Sequence, residues 1–100
     1  MNLPESVTLR ELKPGFPVLD VSHPCCTGSI SLLGAHVMGW TPAGQKPVLF
    51  MSADAVFEEG QAIRGGIPVC WPWFGGREGL PGHGFARLRF WDLVRAEDTA

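Results

Sequence analysis

The sequence predicts an all-β fold, and three observations predict it. Glycine and proline together make up 22 of the 100 residues, against roughly 12 per hundred in an average chain, which argues against long helices. The apolar segments are short. They recur about every 8–12 residues with turn chemistry between them, the pattern of an antiparallel sheet protein.

Each element follows in chain order. Val7–Leu12 is the first expected strand, and Lys13-Pro14-Gly15 closes it. Proline presets φ and glycine admits φ > 0, so this tripeptide turns the chain. Val18–Val21 is the second strand and runs into His23-Pro24. Ser29–Leu33 is the third, ended by Leu33-Gly34-Ala35, and His36–Thr41 is the fourth, ended by Thr41-Pro42-Ala43-Gly44. Val48–Met51 and Leu88–Ala96 complete the set. In the last strand, alternation sends Leu88, Phe90 and Val94 to one face and Arg89, Trp91, Leu93 and Arg95 to the other. Trp91 and Leu93 on that second face call for cover from a second sheet.

Composition bounds the function. The chain is 45% hydrophobic and 18% charged, below the roughly 25% charged of an average soluble chain, so a charge-solvated disordered tail is excluded. One hundred residues hold one domain at most. A chain of this length buries only about 60–68% of its unfolded surface, so its core is marginal unless something completes it. The net charge of −2 lacks the basic excess of a nucleic-acid binder. The charges are unevenly spread. Residues 1–60 carry three Lys/Arg against six Asp/Glu, whereas residues 61–95 carry five arginines and no lysine against two acids. Arginine suits bidentate recognition of carboxylate or phosphate, and it also serves as a solvated face. Cys25, Cys26 and Cys70 are odd in number and show no CxxC or Cys/His metal spacing. No metal site is expected, and a reduced, cytoplasmic setting fits. Residues 1–15 lack the apolar core of a secretory signal, and no apolar run is long enough to span a membrane.

Residues 64–87 stand apart. They hold seven glycines, three prolines and the aromatics Trp71, Trp73, Phe74 and Phe85. An irregular segment this long is more often functional than idle. A flexible linker would carry serine and charge instead, so an ordered loop pinned by aromatic packing is expected. Arg64-Gly65-Gly66 lets the backbone approach a ligand closely, since glycine has no Cβ to clash. Gly82-His83-Gly84 exposes an imidazole that could donate to a ligand oxygen or exchange a proton, or could serve as a turn histidine bonded to a backbone carbonyl. Arg87 follows His83 by four residues. Arginine, histidine and neighbouring indoles suit a polar, anionic, ring-shaped ligand. The tryptophans serve equally as core. His36 and His23 read as structural or exposed, and Glu58-Glu59 as a solvated acidic loop. Cys25-Cys26 lacks the histidine partner of a cysteine hydrolase.

Three linked motifs then carry a family resemblance. They are Arg64-Gly65-Gly66-Ile67-Pro68, then Pro72-Trp73-Phe74-Gly75, then Leu80 to Arg87 with His83-Gly84-Phe85-Ala86-Arg87 and the aromatic Trp91 beyond. Together with Gly34-Ala35-His36-Val37 and Leu49-Phe50-Met51-Ser52 upstream, they make residues 18–95 resemble the hexose-6-phosphate mutarotases, the glucose-6-phosphate 1-epimerases of the aldose 1-epimerase superfamily. The resemblance implies a galactose-mutarotase-like β-sandwich, present as its N-terminal part, that interconverts the anomers of hexose 6-phosphates without a cofactor. It implies substrate-binding roles for Arg64, Gly82, His83 and Arg87, with Gly82 contributing backbone where some members carry a polar side chain. In the family mechanism a histidine acid protonates the ring oxygen while a glutamate base takes the anomeric proton. Both groups lie far downstream in the family, so no catalytic residue is expected within residues 1–100. Two alternatives stand beside this reading. One is a non-catalytic sugar-phosphate-binding β module. The other is a structural half that pairs with a complementary C-terminal segment. The small-molecule ligand expected is a sugar phosphate, with no nucleic acid and no membrane. A chain cut inside a larger fold is also expected to expose a large apolar patch.

Overall fold

The computed structural model describes residues 3–98. Four strands form one antiparallel meander in sequence order: β1 (Val7–Lys13), β2 (Phe16–His23), β3 (Cys26–Ser31) and β4 (His36–Pro42). The fold class is all-β, as expected. Among the described residues the one helical element is a single 3₁₀ turn, η1 (Ala86–Leu88). The expected second sheet is not present among the described residues.

The turns sit where local chemistry puts them. Lys13 pairs with Phe16 across Pro14-Gly15, and His23 pairs with Cys26 across Pro24-Cys25. His23 Nδ1 accepts the Cys25 N–H at 3.0 Å and so closes the second turn. The third connection, residues 32–35, is held by the buried Ser31 hydroxyl, which accepts the Leu33 N–H at 2.9 Å. In β4 the register slips at Met38, opposite Ser29 and Ile30. A bulge of this kind re-aims side chains, and both His36 and Met38 end up buried.

The core lies on one face of this sheet. Phe16, Val18, Leu33, Met38 and Ile63 form a buried cluster, with Met51 and Phe57 packed against it. Phe16 meets the rings of Phe57 and Phe90 edge-on at 5.6 and 5.8 Å. Edge-to-face aromatic pairs add about 0.5–1.5 kcal/mol beyond their area. The irregular second half of the chain therefore caps the sheet rather than extending it. On the opposite face Leu9, Leu19 and Ile30 lie in register across three strands.

Three sequence expectations are corrected. The third strand is Cys26–Ser31, not Ser29–Leu33, because Leu32 and Leu33 are an apolar part of the turn. Leu33 reads like a strand residue only because it is fully buried. Val48–Met51 is not a strand. Met51 makes one isolated bridge to Gly65, through the Ser52 N–H to the Arg64 carbonyl (3.0 Å) and the Gly66 N–H to the Phe50 carbonyl (2.7 Å). The partner segment then turns at two positive-φ glycines and cannot continue a ladder. Leu88–Ala96 is not a strand either. Its beginning is taken into η1, and Phe90 bridges only Leu33, between bonds of 2.8 Å (Gly34 N–H to Arg89) and 2.7 Å (Trp91 N–H to Leu32). The neighbour it finds is the 32–35 turn, too short to pair more than one residue. Trp91 remains 43% exposed and Val94 82% exposed.

Candidate functional site

The loop over residues 71–85 is ordered by its own hydrogen bonds. The Trp71 carbonyl accepts the N–H groups of Phe85 (2.9 Å) and Ala86 (3.1 Å), which brings the two ends of the loop together. Leu80 N–H donates to the Arg77 carbonyl at 3.0 Å, and the Trp73 indole donates to the Pro81 carbonyl at 3.0 Å. Trp71 and Trp73 both meet Phe85 edge-on at 6.1 Å, and the Arg77 guanidinium lies over Trp73 at 5.0 Å. The expected aromatic pinning is therefore present.

His83 is the most constrained residue of the loop. It takes φ = +62° between two glycines, a conformation uncommon outside glycine, which His, Asn and Asp enter more often than other side chains. Two contacts with Gly75 hold it there. Its N–H donates to the Gly75 carbonyl at 2.8 Å, and its Nδ1 accepts the Gly75 N–H at 3.0 Å. Because Nδ1 is an acceptor, the hydrogen of the neutral ring sits on Nε2. The ring also meets Phe74 at 4.8 Å. His83 is thus a turn histidine, but it accepts a backbone N–H rather than donating to a carbonyl, and its Nε2–H is left to donate elsewhere.

Arg87 belongs to the same unit. It follows the loop inside η1 and donates from Nη2 to the Gly82 carbonyl at 2.9 Å. Its Nε is buried without a hydrogen-bond partner. Gly82 therefore contributes its carbonyl to Arg87, and a Cβ built at Gly82 meets nothing within 4 Å. Arg64 is exposed. Among the described residues neither Arg64 nor Arg87 pairs with a carboxylate.

Glycine at 65 and 66 serves a purpose other than ligand approach. A Cβ at Gly66 would collide with the Val37 carbonyl and lie 2.9 Å from His36 Nε2. The close approach is of the chain to itself. His36, read from sequence as structural or exposed, is fully buried beneath this turn. Its Nε2 donates to the Gly65 carbonyl at 2.5 Å. Burial holds the imidazole pKa below its ordinary value; the Gly65 carbonyl opposes that shift and the Arg87 charge reinforces it. Nothing local in the sequence marks this contact, which spans 29 residues.

The structure thus places Gly82, His83 and Arg87 in one local segment and seats the Arg64-Gly65-Gly66 turn on His36. A separate cavity lies beside the loop. It is an open groove of about 560 Å³ lined by Val69, Trp71, Phe85, Arg89, Phe90 and Trp91. Its walls are almost wholly apolar, and it includes none of the four candidate residues. Among the described residues, the histidine beside a carboxylate is His23, with Nε2 3.5 Å from Asp98. It lies outside the candidate loop.

Comparison with known proteins fits this geometry. The sequence profile of the aldose 1-epimerase family matches residues 17–100. The chain belongs to the aldose 1-epimerase family. A relative in Escherichia coli K12, provisionally named glucose-6-phosphate 1-epimerase, is 53% identical over 85 residues, which are 83% of this chain and 29% of the relative. One of the same provisional name in the grass Cenchrus ciliaris is 45% identical over 76 residues, 76% of this chain and 23% of that one. Among solved structures, a provisionally named mutarotase (YeaD) from Salmonella typhimurium superimposes with a TM-score of 0.84 at 42% identity. It covers 93% of this chain and 32% of that one. HI1317 superimposes with a TM-score of 0.83 at 41% identity over 94% of this chain and 35% of that one. This aldose 1-epimerase family chain therefore spans about three-tenths of the length of the relatives it matches.

Proposed function

We propose that the intact protein interconverts the α and β anomers of D-glucose 6-phosphate and related hexose 6-phosphates, and that this chain supplies the part of its site that holds the sugar phosphate. The observation that carries the reading is a pair of arginines, Arg64 and Arg87, with no carboxylate partner among the described residues, the second tied to Gly82 beside His83, whose Nδ1 accepts the Gly75 N–H and leaves Nε2–H to donate. The family and the names of its relatives support it.

The chemistry assigned to these residues is binding and orientation. A guanidinium offers paired donors to phosphate or hydroxyl oxygens, and charge-assisted bonds of this type contribute about 1.5–3 kcal/mol each. The Gly82 carbonyl holds the Arg87 fork. The His83 Nε2–H donates to a ring hydroxyl or to the ring oxygen. The proton transfers that open and close the ring need an acid and a base within reach of the ring oxygen and the anomeric hydroxyl. We assign these to segments outside residues 3–98, since neither His36 nor His83 has a carboxylate beside it among the described residues. The test is polarimetry of freshly dissolved α-D-glucose 6-phosphate with the full-length parent protein. Faster mutarotation than in buffer supports the reading, and a rate equal to buffer refutes it.

The lack of a carboxylate beside His83 in the candidate loop favours one alternative, a module that binds sugar phosphate without turning it over. Calorimetry and polarimetry together separate the two: both readings bind sugar phosphate, but the module never accelerates mutarotation, even as part of the parent. The exposed groove containing Trp71 and Trp91 supports a further part of the proposal. The chain is the N-terminal part of one β-sandwich domain, and a complementary C-terminal segment covers that groove.

A further inference from the structure

His36 is the most deeply buried ionisable side chain among the described residues, at 1% exposure. It opens β4, directly after the Gly34-Ala35 turn. A buried imidazole is costly unless its donor is satisfied. The donor here is satisfied by one acceptor, the Gly65 carbonyl at 2.5 Å. That carbonyl belongs to the residue after Arg64, and the next residue, Gly66, rests on the ring, where an added Cβ would be 2.9 Å from Nε2 and 3.1 Å from Cδ2. The same short segment meets the other arginine. Gly34 lies against the Arg87 backbone so closely that a Cβ on Gly34 would be 2.8 Å from the Arg87 Cα. Gly34 N–H also donates to the Arg89 carbonyl at 2.8 Å. One tripeptide, Gly34-Ala35-His36, therefore abuts both arginine-bearing segments from beneath.

We infer that His36 is a positioning residue for the sugar-phosphate site: its Nε2–H holds the Arg64-Gly65-Gly66 turn in register with the Arg87 segment, so that both guanidinium groups address one anion. The inference rests on the function proposed above. The bond needs only the Nε2–H, which the neutral ring supplies; burial and the Arg87 charge lower the ring's pKa, while the Gly65 carbonyl opposes that shift.

The experiment uses the ¹⁵N-labelled 100-residue chain and two variants. His36→Gln keeps an N–H donor of similar reach, and His36→Leu removes it. Amide exchange reads the turn without any ligand. In His36→Leu the Gly66 amide, which donates to the Phe50 carbonyl, is expected to exchange about tenfold faster, as the loss of one buried hydrogen bond requires, while β1–β2 amides hold their rates. In His36→Gln it stays within about threefold of the parent. Unchanged Gly66 exchange in folded His36→Leu overturns the inference. Titration with glucose 6-phosphate then reads the site. Binding is expected to weaken about tenfold in His36→Leu and to be largely rescued in His36→Gln. Equal affinity in all three also overturns it. If the parent itself shows no binding, the sugar-phosphate reading fails, and the exchange data still decide whether His36 fixes the turn. Should His36→Leu not fold, His36→Asn, whose amide is too short to span the gap, takes its place with the same expected outcomes.

Discussion

Two glycines at the site make a controlled comparison. Gly66→Ala and Gly82→Ala each add one methyl group, yet the structure assigns them opposite outcomes. Gly66 has φ = +65°, and an alanine there costs about 1–2 kcal/mol from the left-handed backbone alone. Its Cβ would also collide with the Val37 carbonyl. Relief requires moving Ile67 away from Val37, which gives up the Ile67 N–H to Val37 carbonyl bond (2.9 Å) and the weaker reverse bond (3.3 Å). At about 1 kcal/mol each these bring the total to about 3–4 kcal/mol. Gly82 has no positive φ and open space around its Cβ position. Alanine there restricts the unfolded chain and is neutral or stabilising by up to about 1 kcal/mol. The assay is urea unfolding at low protein concentration, followed by tryptophan fluorescence. With a slope of about 1–2 kcal/mol per molar urea, Gly66→Ala is expected to lower the midpoint by about 2 M or to leave no folded baseline. Gly82→Ala is expected to leave it unchanged or slightly raised. Equal midpoints for the two variants would refute the reasoning.

Four further outcomes follow from the same geometry. Arg64→Ala and Arg87→Ala are each expected to weaken glucose 6-phosphate binding by about tenfold or more in calorimetry, whereas Arg10→Ala, at an exposed pair with Asp20, changes nothing. His36 has a pKa lowered by burial, so the unfolded chain takes up a proton before the folded one does. Stability is therefore full above the ordinary histidine value of about 6.5 and falls as pH drops below it. Urea midpoints between pH 5 and 8 should show that slope, and His36→Gln should flatten it. Leu33→Ala, at a fully buried position in a turn, is expected to cost about 2–5 kcal/mol by the same urea assay. The exposed groove around Trp71 and Trp91 is expected to drive concentration-dependent self-association in sedimentation, reduced by Trp91→Ser; a monomer at every concentration contradicts this.

The sheet was legible where local chemistry decides it. Pro14-Gly15, Pro24 and Gly34 mark the three turns, and the strands between them are read correctly to within a few residues. Reading failed where the outcome depends on a distant neighbour. Val48–Met51 and Leu88–Ala96 have strand-like side chains, yet each forms a single isolated bridge, to a turn at Gly65 and Leu33. Leu33 shows the converse, an apolar residue buried from inside a loop. The candidate site divides in the same way. Gly82-His83-Gly84 and Arg87 stand close in sequence, and their linkage is local. The glycine pair after Arg64 signals close approach in sequence, but only the fold shows that the approaching groups are the Val37 carbonyl and His36. His36 bonds across 29 residues, a contact without a local signature.

The proposed site has Arg64, Gly82, His83 and Arg87 hold one hexose 6-phosphate. Titrating the ¹⁵N-labelled chain with glucose 6-phosphate, while following the His83 imidazole and the arginine Nε resonances, tests it most directly. Saturable shifts are expected at His83, Arg64 and Arg87 together with the Gly82 amide, at millimolar concentration or below, and much smaller ones with unphosphorylated glucose. No shift at these four residues up to about 10 mM, or shifts confined to the Trp71–Trp91 groove, would contradict it.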